Sequence, residues 1–144
     1  MKSPRRILAG AAGLLLLGLL GSTNVGCGHD RAAVTPADVA SLGTLDDVME
    51  AQEHAAEPHF SKLDRTTFSS EEFASLTRLG ELLQATSAKT LEYSRGPAFD
   101  ELAKRLGTNA KALATAATAS DAAGVSRALG EAKATCDACH SQFH

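Results

Sequence analysis

The residues with the clearest chemical meaning form one short motif, Cys136-Asp137-Ala138-Cys139-His140. On a helix, residues three apart lie on the same face, so both thiols can add to the two vinyl groups of one haem. The imidazole next to the second cysteine can then reach the iron from the same side. This spacing is the attachment sequence of haem c. It predicts one covalent haem, bound through Cys136 and Cys139, with His140 as an iron ligand.

Three other readings of the two cysteines are weaker. A structural zinc site needs four ligands, and the third cysteine of the chain, Cys27, lies far away in the sequence. A thioredoxin-like redox pair is expected beside a βαβ unit, which the sequence does not predict. A disulfide between residues three apart on one helix would be strained. Haem attachment is therefore the preferred interpretation.

Four helices with short connections are predicted to carry this motif, and no segment reads as a strand. Alanine is abundant in the second half and favours helix, but it buries little apolar area. The predicted fold is an all-α, antiparallel four-helix bundle whose thin core a large apolar group would help to fill. The predicted helix starts are Thr44 with Asp47 at N3, Ser69 with Glu72 at N3, Gly96-Pro97, and Ser120 or Asp121.

The N-terminal part of the chain has the features of an export signal. A basic start (Lys2, Arg5, Arg6) precedes the apolar run 7–20, which is too short to span a bilayer comfortably. Small residues then lead to Cys27. We therefore divide the chain into a signal (1–26), a tether with a short helical turn (27–43) and a cytochrome domain (44–144).

An odd cysteine in an exported chain needs a reason. Val25-Gly26-Cys27 after an apolar run is typical of a bacterial lipoprotein signal. The expected location is periplasmic or exported, with a lipid anchor at Cys27 as one form of it. The alternatives are a free thiol at Cys27 and removal of this cysteine by cleavage elsewhere.

The charge of the exported chain limits its partners. Removal of residues 1–26 takes away three basic side chains and no acidic one, which leaves 11 basic and 17 acidic residues and a formal charge of −6. This balance disfavours nucleic acid and anionic membrane surfaces. A partner protein with a basic docking face is expected, and a homodimer is left open.

The C-terminal motif also resembles a known family. The tail Cys136-Asp-Ala-Cys139-His140-Ser-Gln-Phe143 is similar to the ending of the class II c-type cytochromes, the cytochrome c′ family, in which an aromatic residue follows the ligand by three. The resemblance covers about residues 40–144. It implies a four-helix bundle with haem c near the C-terminus of the last helix. The chain departs from the family at His144, where members usually have Arg or Lys.

The resemblance also implies where the sixth iron ligand comes from. In this family the first helix covers the distal haem face, and an apolar residue there leaves the iron open whereas Met makes an electron carrier. Met49 lies on the predicted core face of that helix and is the preferred ligand, with core filling as its alternative. His59 is the next candidate, and His54 is expected to face solvent. Tyr93 and Arg95 are candidates for contacts at the haem edge.

Three functions remain in competition at this stage. The preferred one is a one-electron carrier with His140 and Met49 as axial ligands. The alternative is a five-coordinate haem protein that binds a diatomic gas such as NO or CO. A peroxidase would need an acid–base residue near an open iron, for which only His54 or His59 is available, so we do not expect an enzyme.

Overall fold

The computed structural model describes residues 33–143, which contain four α-helices, two single-turn 3₁₀ helices (Val39–Ser41 and Leu91–Tyr93) and no strand. The helices are α1 (Leu45–Phe60), α2 (Ser70–Thr90), α3 (Pro97–Thr118) and α4 (Ala122–Phe143). Each helix packs beside the next one in the chain through a short connection, so neighbours run antiparallel. The predicted all-α four-helix bundle is confirmed. The predicted signal, Cys27 and His144 lie outside the described residues.

Reciprocal capping fixes the starts of the first two helices, as the sequence predicted. At α1, the Asp47 amide donates to Thr44 Oγ1 at 3.1 Å, and the Thr44 amide donates to Asp47 Oδ2 at 3.0 Å. At α2, the Glu72 amide donates to Ser69 Oγ at 3.2 Å, and the Ser69 amide donates to Glu72 Oε2 at 2.9 Å. Each pair satisfies two amide groups that the helix leaves without carbonyl partners.

Backbone geometry fixes the starts of α3 and α4. Gly96 has a φ of 109°, which only glycine adopts without strain, and Pro97 follows at the first helical position. Ser120 occupies the left-handed region with a φ of 55° and ends α3. The Gly124 amide donates to Asp121 Oδ1 at 3.0 Å. Of the two predicted caps of α4, Asp121 is therefore the one that the structure contains.

Pro58 lies inside α1, and the helix ends two residues later at Phe60. Proline cannot donate the helical hydrogen bond, so a kink or an end of the helix is expected near it. The following connection spans 61–69 and is tied to α4, because Ser126 Oγ donates to the Arg65 carbonyl at 2.7 Å. None of the helices in residues 33–143 is long and apolar enough to cross a membrane.

Helices α2 and α3 approach each other most closely, because small residues line their crossing. A Cβ atom placed on Gly80 would lie 2.7 Å from both the Ala110 carbonyl oxygen and the Ala114 amide nitrogen. The largest side chains with almost no exposure are aliphatic, so the core is built from Leu, Val and Ala. They are Leu76, Leu83, Leu113, Leu129, Val48 and Val125.

The close crossing makes a prediction about stability. Gly80→Ala should lower the free energy of unfolding by about 1–3 kcal/mol, because its methyl group meets the α3 backbone, which has no rotamer to yield. Gly130→Ala is the matched control within α4, where the nearest atom, Leu63 Cδ2, is 3.9 Å away. That change should raise stability by about 0.5–1 kcal/mol through helix propensity. Urea unfolding measures both, and a harmless Gly80→Ala would contradict the packing argument.

Candidate functional site

A cleft of about 380 Å³ opens between α1 and α4, and α2 and α3 form its floor. The two helices that flank it touch each other at few positions, while each packs on its chain neighbour. Helices α1, α2 and α3 supply the apolar part of the lining. It comprises Met49, Ala56, Phe60, Leu83, Leu102, Ala103 and Leu106.

All three residues of the predicted attachment motif line this cleft from α4. Cys136 and Cys139 are half-buried, and both thiols are free of a disulfide. His140 lines the cleft one residue after the second thiol and is exposed. The helix therefore brings the two sulfur atoms and the imidazole to one cavity, as the spacing predicted.

Both thiols are held in the neutral form at neutral pH. Burial, with a smaller contribution from the Asp137 carboxylate, raises the pKa of Cys136 to about 11. Burial also raises the pKa of Cys139. A dithiol redox centre works through a cysteine whose pKa is lowered. The environment of this pair therefore differs from that of a thioredoxin-like site.

Two contacts with α3 fix the turn of α4 that carries the motif. On the N-terminal side, the buried Asn109 Nδ2 donates to Thr135 Oγ1 at 3.1 Å, directly before Cys136. On the C-terminal side, the rings of Phe99 and Phe143 meet edge to face, with centroids 5.3 Å apart. Such buried polar and aromatic contacts orient neighbouring side chains as well as stabilise the fold.

Arg95 adds a third tie to the same turn. Its Nη1 donates to the Phe143 carbonyl at 2.8 Å, and its guanidinium lies over the Phe99 ring at 5.9 Å from the centroid. Arg95 also lines a second cleft of about 320 Å³, which shares Cys139 and His140 with the first. Tyr93, the other candidate from this region, instead donates to the Leu42 carbonyl at 3.3 Å and is not among the residues that line either cleft.

Met49 is half-buried on α1 and lines both clefts. His140 lines the same two clefts from α4. The structure thus brings the predicted distal residue to the cavity that holds the attachment motif.

The two histidines of α1 lie away from this cavity. His59 is buried, and its Nε2 is 3.4 Å from Ser75 Oγ on α2. Burial, followed by the nearby Lys62 and Arg78 charges, lowers the pKa of His59. His54 is exposed, as expected, and borders a separate cleft beside Leu42 and Leu82. The expectation that His59 is the next candidate ligand is not supported, because its ring faces α2.

The sequence interpretation assigned no role to the polar part of the cleft lining. Gln52, Glu53 and Glu57 line it from α1, and Thr90 lines it from the end of α2. Gln52 is 7% exposed, although it sits among apolar neighbours on the helix. A glutamine on the core stripe three residues after Met49 was the signal available in the sequence.

The lining fits a flat, mostly apolar macrocycle that is attached at one edge. Aliphatic side chains form the floor, two neutral thiols lie on one wall, and an imidazole and a thioether are available as iron ligands. Among residues 33–143, no group of three or more His, Cys, Asp and Glu side chains could hold a bare metal ion. The cleft suits a haem iron, because the haem macrocycle itself supplies four of the iron's ligands and the protein needs to provide only the others.

Comparison with known proteins agrees with this geometry. The model of the family described as Cytochrome C′ matches residues 46–144, which include α1 to α4 and the cysteine motif. The chain matches no curated protein and no solved structure. The family match covers more than half of the chain, and members of the family bind covalently attached haem c. The chain belongs to the cytochrome c′ family, and it is a monohaem c-type cytochrome.

Proposed function

We propose that this cytochrome is an exported one-electron carrier whose haem is attached to Cys136 and Cys139 and ligated by His140 and Met49. The observation that carries the proposal is that all four side chains line one cleft. Haem iron supplies a one-electron couple when it is bound. Cys136 and Cys139 would hold the haem covalently, His140 and Met49 would ligate its iron, and the apolar floor would exclude water.

Each ligand has a defined contribution to electron transfer. The His140 imidazole would be positioned by the adjacent thiol linkage and by the Phe99–Phe143 contact at the end of the same helix. A thioether ligand from Met49 would raise the potential of haem iron relative to a second imidazole. Both residues stand on helices of the bundle, which would limit their movement when the oxidation state changes.

Binding of a diatomic gas at a five-coordinate iron is the second candidate, since members of this family include both kinds of protein. The polar residues beside Met49 favour it, because a purely electron-carrying cleft has no need of a buried amide such as Gln52. We do not propose an enzyme. Among the described residues, neither His54 nor His59, the two histidines considered for acid–base chemistry, lines the cleft.

The proposed redox partner has a basic docking face. Four acidic residues recur on one side of α1 at spacings of four, three and four, and all are exposed; they are Asp46, Glu50, Glu53 and Glu57. Three of them border the clefts that His140 lines. An acidic surface next to the haem would steer a basic partner to the position from which electrons pass.

The export signal and the lipid anchor remain proposals. They are supported by the apolar run 7–20 and by Val25-Gly26-Cys27. A haem attached through thioethers is also consistent with export, since attachment of haem c takes place outside the cytoplasm. A homodimer is likewise left open.

Covalent attachment makes the first prediction here. The pigment of the wild-type protein should stay with the polypeptide during acid–acetone extraction. In the double variant Cys136→Ala, Cys139→Ala, any pigment should be extracted, because nothing but ligation would hold it. Absorbance of the organic phase measures the outcome. Extraction of the wild-type pigment would contradict covalent attachment of haem to Cys136 and Cys139.

Ligation by Met49 makes the second prediction. The wild-type protein should be low-spin, show a weak near-infrared sulfur-to-iron band when oxidised, and bind carbon monoxide poorly, because an intramolecular ligand competes at high effective concentration. Met49→Leu keeps the side-chain volume, at a cost below about 1.5 kcal/mol in stability. It should give a high-spin spectrum and ready binding of carbon monoxide.

Glu53→Gln is the matched control, because Glu53 lines the same two clefts as Met49 and its carboxylate is a rival oxygen donor on α1. This variant should keep the low-spin spectrum. A high-spin wild-type protein whose spectrum Met49→Leu does not change would favour gas binding instead. A spectrum changed only by Glu53→Gln would assign the sixth ligand to the carboxylate.

The docking proposal predicts a charge-dependent rate. With a small basic redox protein as partner, Glu50→Lys should lower the second-order electron-transfer rate severalfold at low ionic strength, and added salt should remove the difference. Glu81→Lys, an exposed charge reversal on α2, is the control and should change the rate much less. Stopped-flow absorbance measures both rates. Equal effects of the two variants would argue against docking at α1.

The anchor makes the last prediction. If Cys27 carries lipid, the wild-type protein should sediment with membranes, and Cys27→Ser should move it to the soluble periplasmic fraction. Fractionation of cells that express each form measures this. A soluble wild-type protein would reject the anchor without affecting the haem residues.

A further inference from the structure

Gln52 is the most deeply buried polar side chain in the lining that α1 gives to the haem cleft. Only 7% of it is exposed, and it lies one helical turn from Met49 on the same face of α1. Its only hydrogen bond among the described residues is long, with Nε2 3.4 Å from Thr90 Oγ1. A primary amide has two N–H donors and two acceptor positions, so most of its capacity is unused.

Thr90 determines which way the amide points. The Thr90 hydroxyl donates its proton to the Thr86 carbonyl at 2.9 Å. Its oxygen is therefore left as an acceptor for Gln52, which turns the NH₂ end of the amide towards Thr90. One N–H of Nε2 is used by this contact. The second N–H of Nε2 has no protein partner among the described residues, and the side chain that carries it lines the cleft.

The position of Gln52 relative to the iron ligands defines what it can meet. Cys136 and His140 line the cleft from α4, and Gln52 and Met49 line it from α1. A small molecule that replaces the Met49 sulfur would lie between the haem and α1. Its outer atom would then be within the space that the Gln52 amide borders.

We propose that Gln52, oriented by Thr90, is a hydrogen-bond donor to a diatomic ligand bound on the α1 side of the haem. The inference rests on the proposed haem position and extends it to ligand selection. Ligands whose outer atom carries partial negative charge gain stability from this amide. An apolar residue at position 52 would give no such preference.

Carbon monoxide is a suitable probe, because a hydrogen bond to its oxygen lowers the C–O stretching frequency. The experiment compares the ferrous carbon monoxide complexes of Met49→Leu and of Met49→Leu, Gln52→Leu by infrared spectroscopy. Loss of the donor should raise the C–O frequency. It should also raise the dissociation constant at least about twofold, as expected for one neutral hydrogen bond.

The matched control is Met49→Leu, Gln84→Leu. Gln84 on α2 also makes a single 3.4 Å hydrogen bond, to the Gly80 carbonyl, but it does not line the cleft. This control should keep both the frequency and the dissociation constant. Thr90→Val provides a second variant that leaves Gln52 in place. Without its acceptor the amide should lose its fixed orientation, and the C–O band should broaden or split.

An unchanged C–O band and affinity after Gln52→Leu would overturn the proposal. Failure of the proposed Met49 ligation is a different result, because the wild-type protein would then bind carbon monoxide readily. In that case the wild type and the single variant Gln52→Leu are compared directly, with the same expected shift. Failure of haem attachment is visible separately, as extractable pigment.

Discussion

The close crossing of α2 and α3 is the constraint on which the rest of the bundle depends. Backbone atoms of α3 occupy the space that a Cβ atom on Gly80 would need, so the two helix backbones are in close contact at this point. Helix α4 packs on α3, and α1 packs on α2. With the central pair drawn together, the outer helices are left flanking an opening. The haem cleft is the space that results between α1 and α4.

The motif turn of α4 is held by contacts that differ in kind. The Asn109–Thr135 hydrogen bond is buried and directional, the Phe99–Phe143 contact is apolar, and Arg95 bonds the backbone at the end of the helix. Loss of any one contact leaves the other two. A turn that must present two thiols and an imidazole to one macrocycle benefits from this redundancy, because small errors in side-chain position are expensive at a metal centre.

Local chemistry made much of the fold predictable. The capping residues Thr44 and Ser69, the Gly96-Pro97 start and the cysteine spacing act within one or two helical turns, and the structure contains each of them. The family match supports the haem cofactor and the bundle. The position of Cys27 and the export signal were equally visible in the sequence, but they lie outside the described residues.

The rotation of α1 about its own axis could not be predicted in this way. The buried face of α1 contacts α2 along one edge and borders the cleft along the other. Periodicity places both Met49 and His59 on the buried face, but it cannot say which of the two surroundings each one meets. The structure directs His59 towards Ser75 on α2 and Met49 towards the cleft. Gln52 lies on the same buried face, and the structure places it in the cleft lining.

The weak attachment of α1 has a consequence for how the cofactor enters. In the described part of the chain, two side-chain hydrogen bonds join this helix to α2, Gln52–Thr90 and His59–Ser75, and both span 3.4 Å. We therefore expect α1 to open locally at a lower free energy than α2 to α4. We expect amide hydrogens of α1 to exchange early in the apoprotein and to become protected once haem bridges the cleft. Maturation would then be the closing of one helix onto a platform that is already folded.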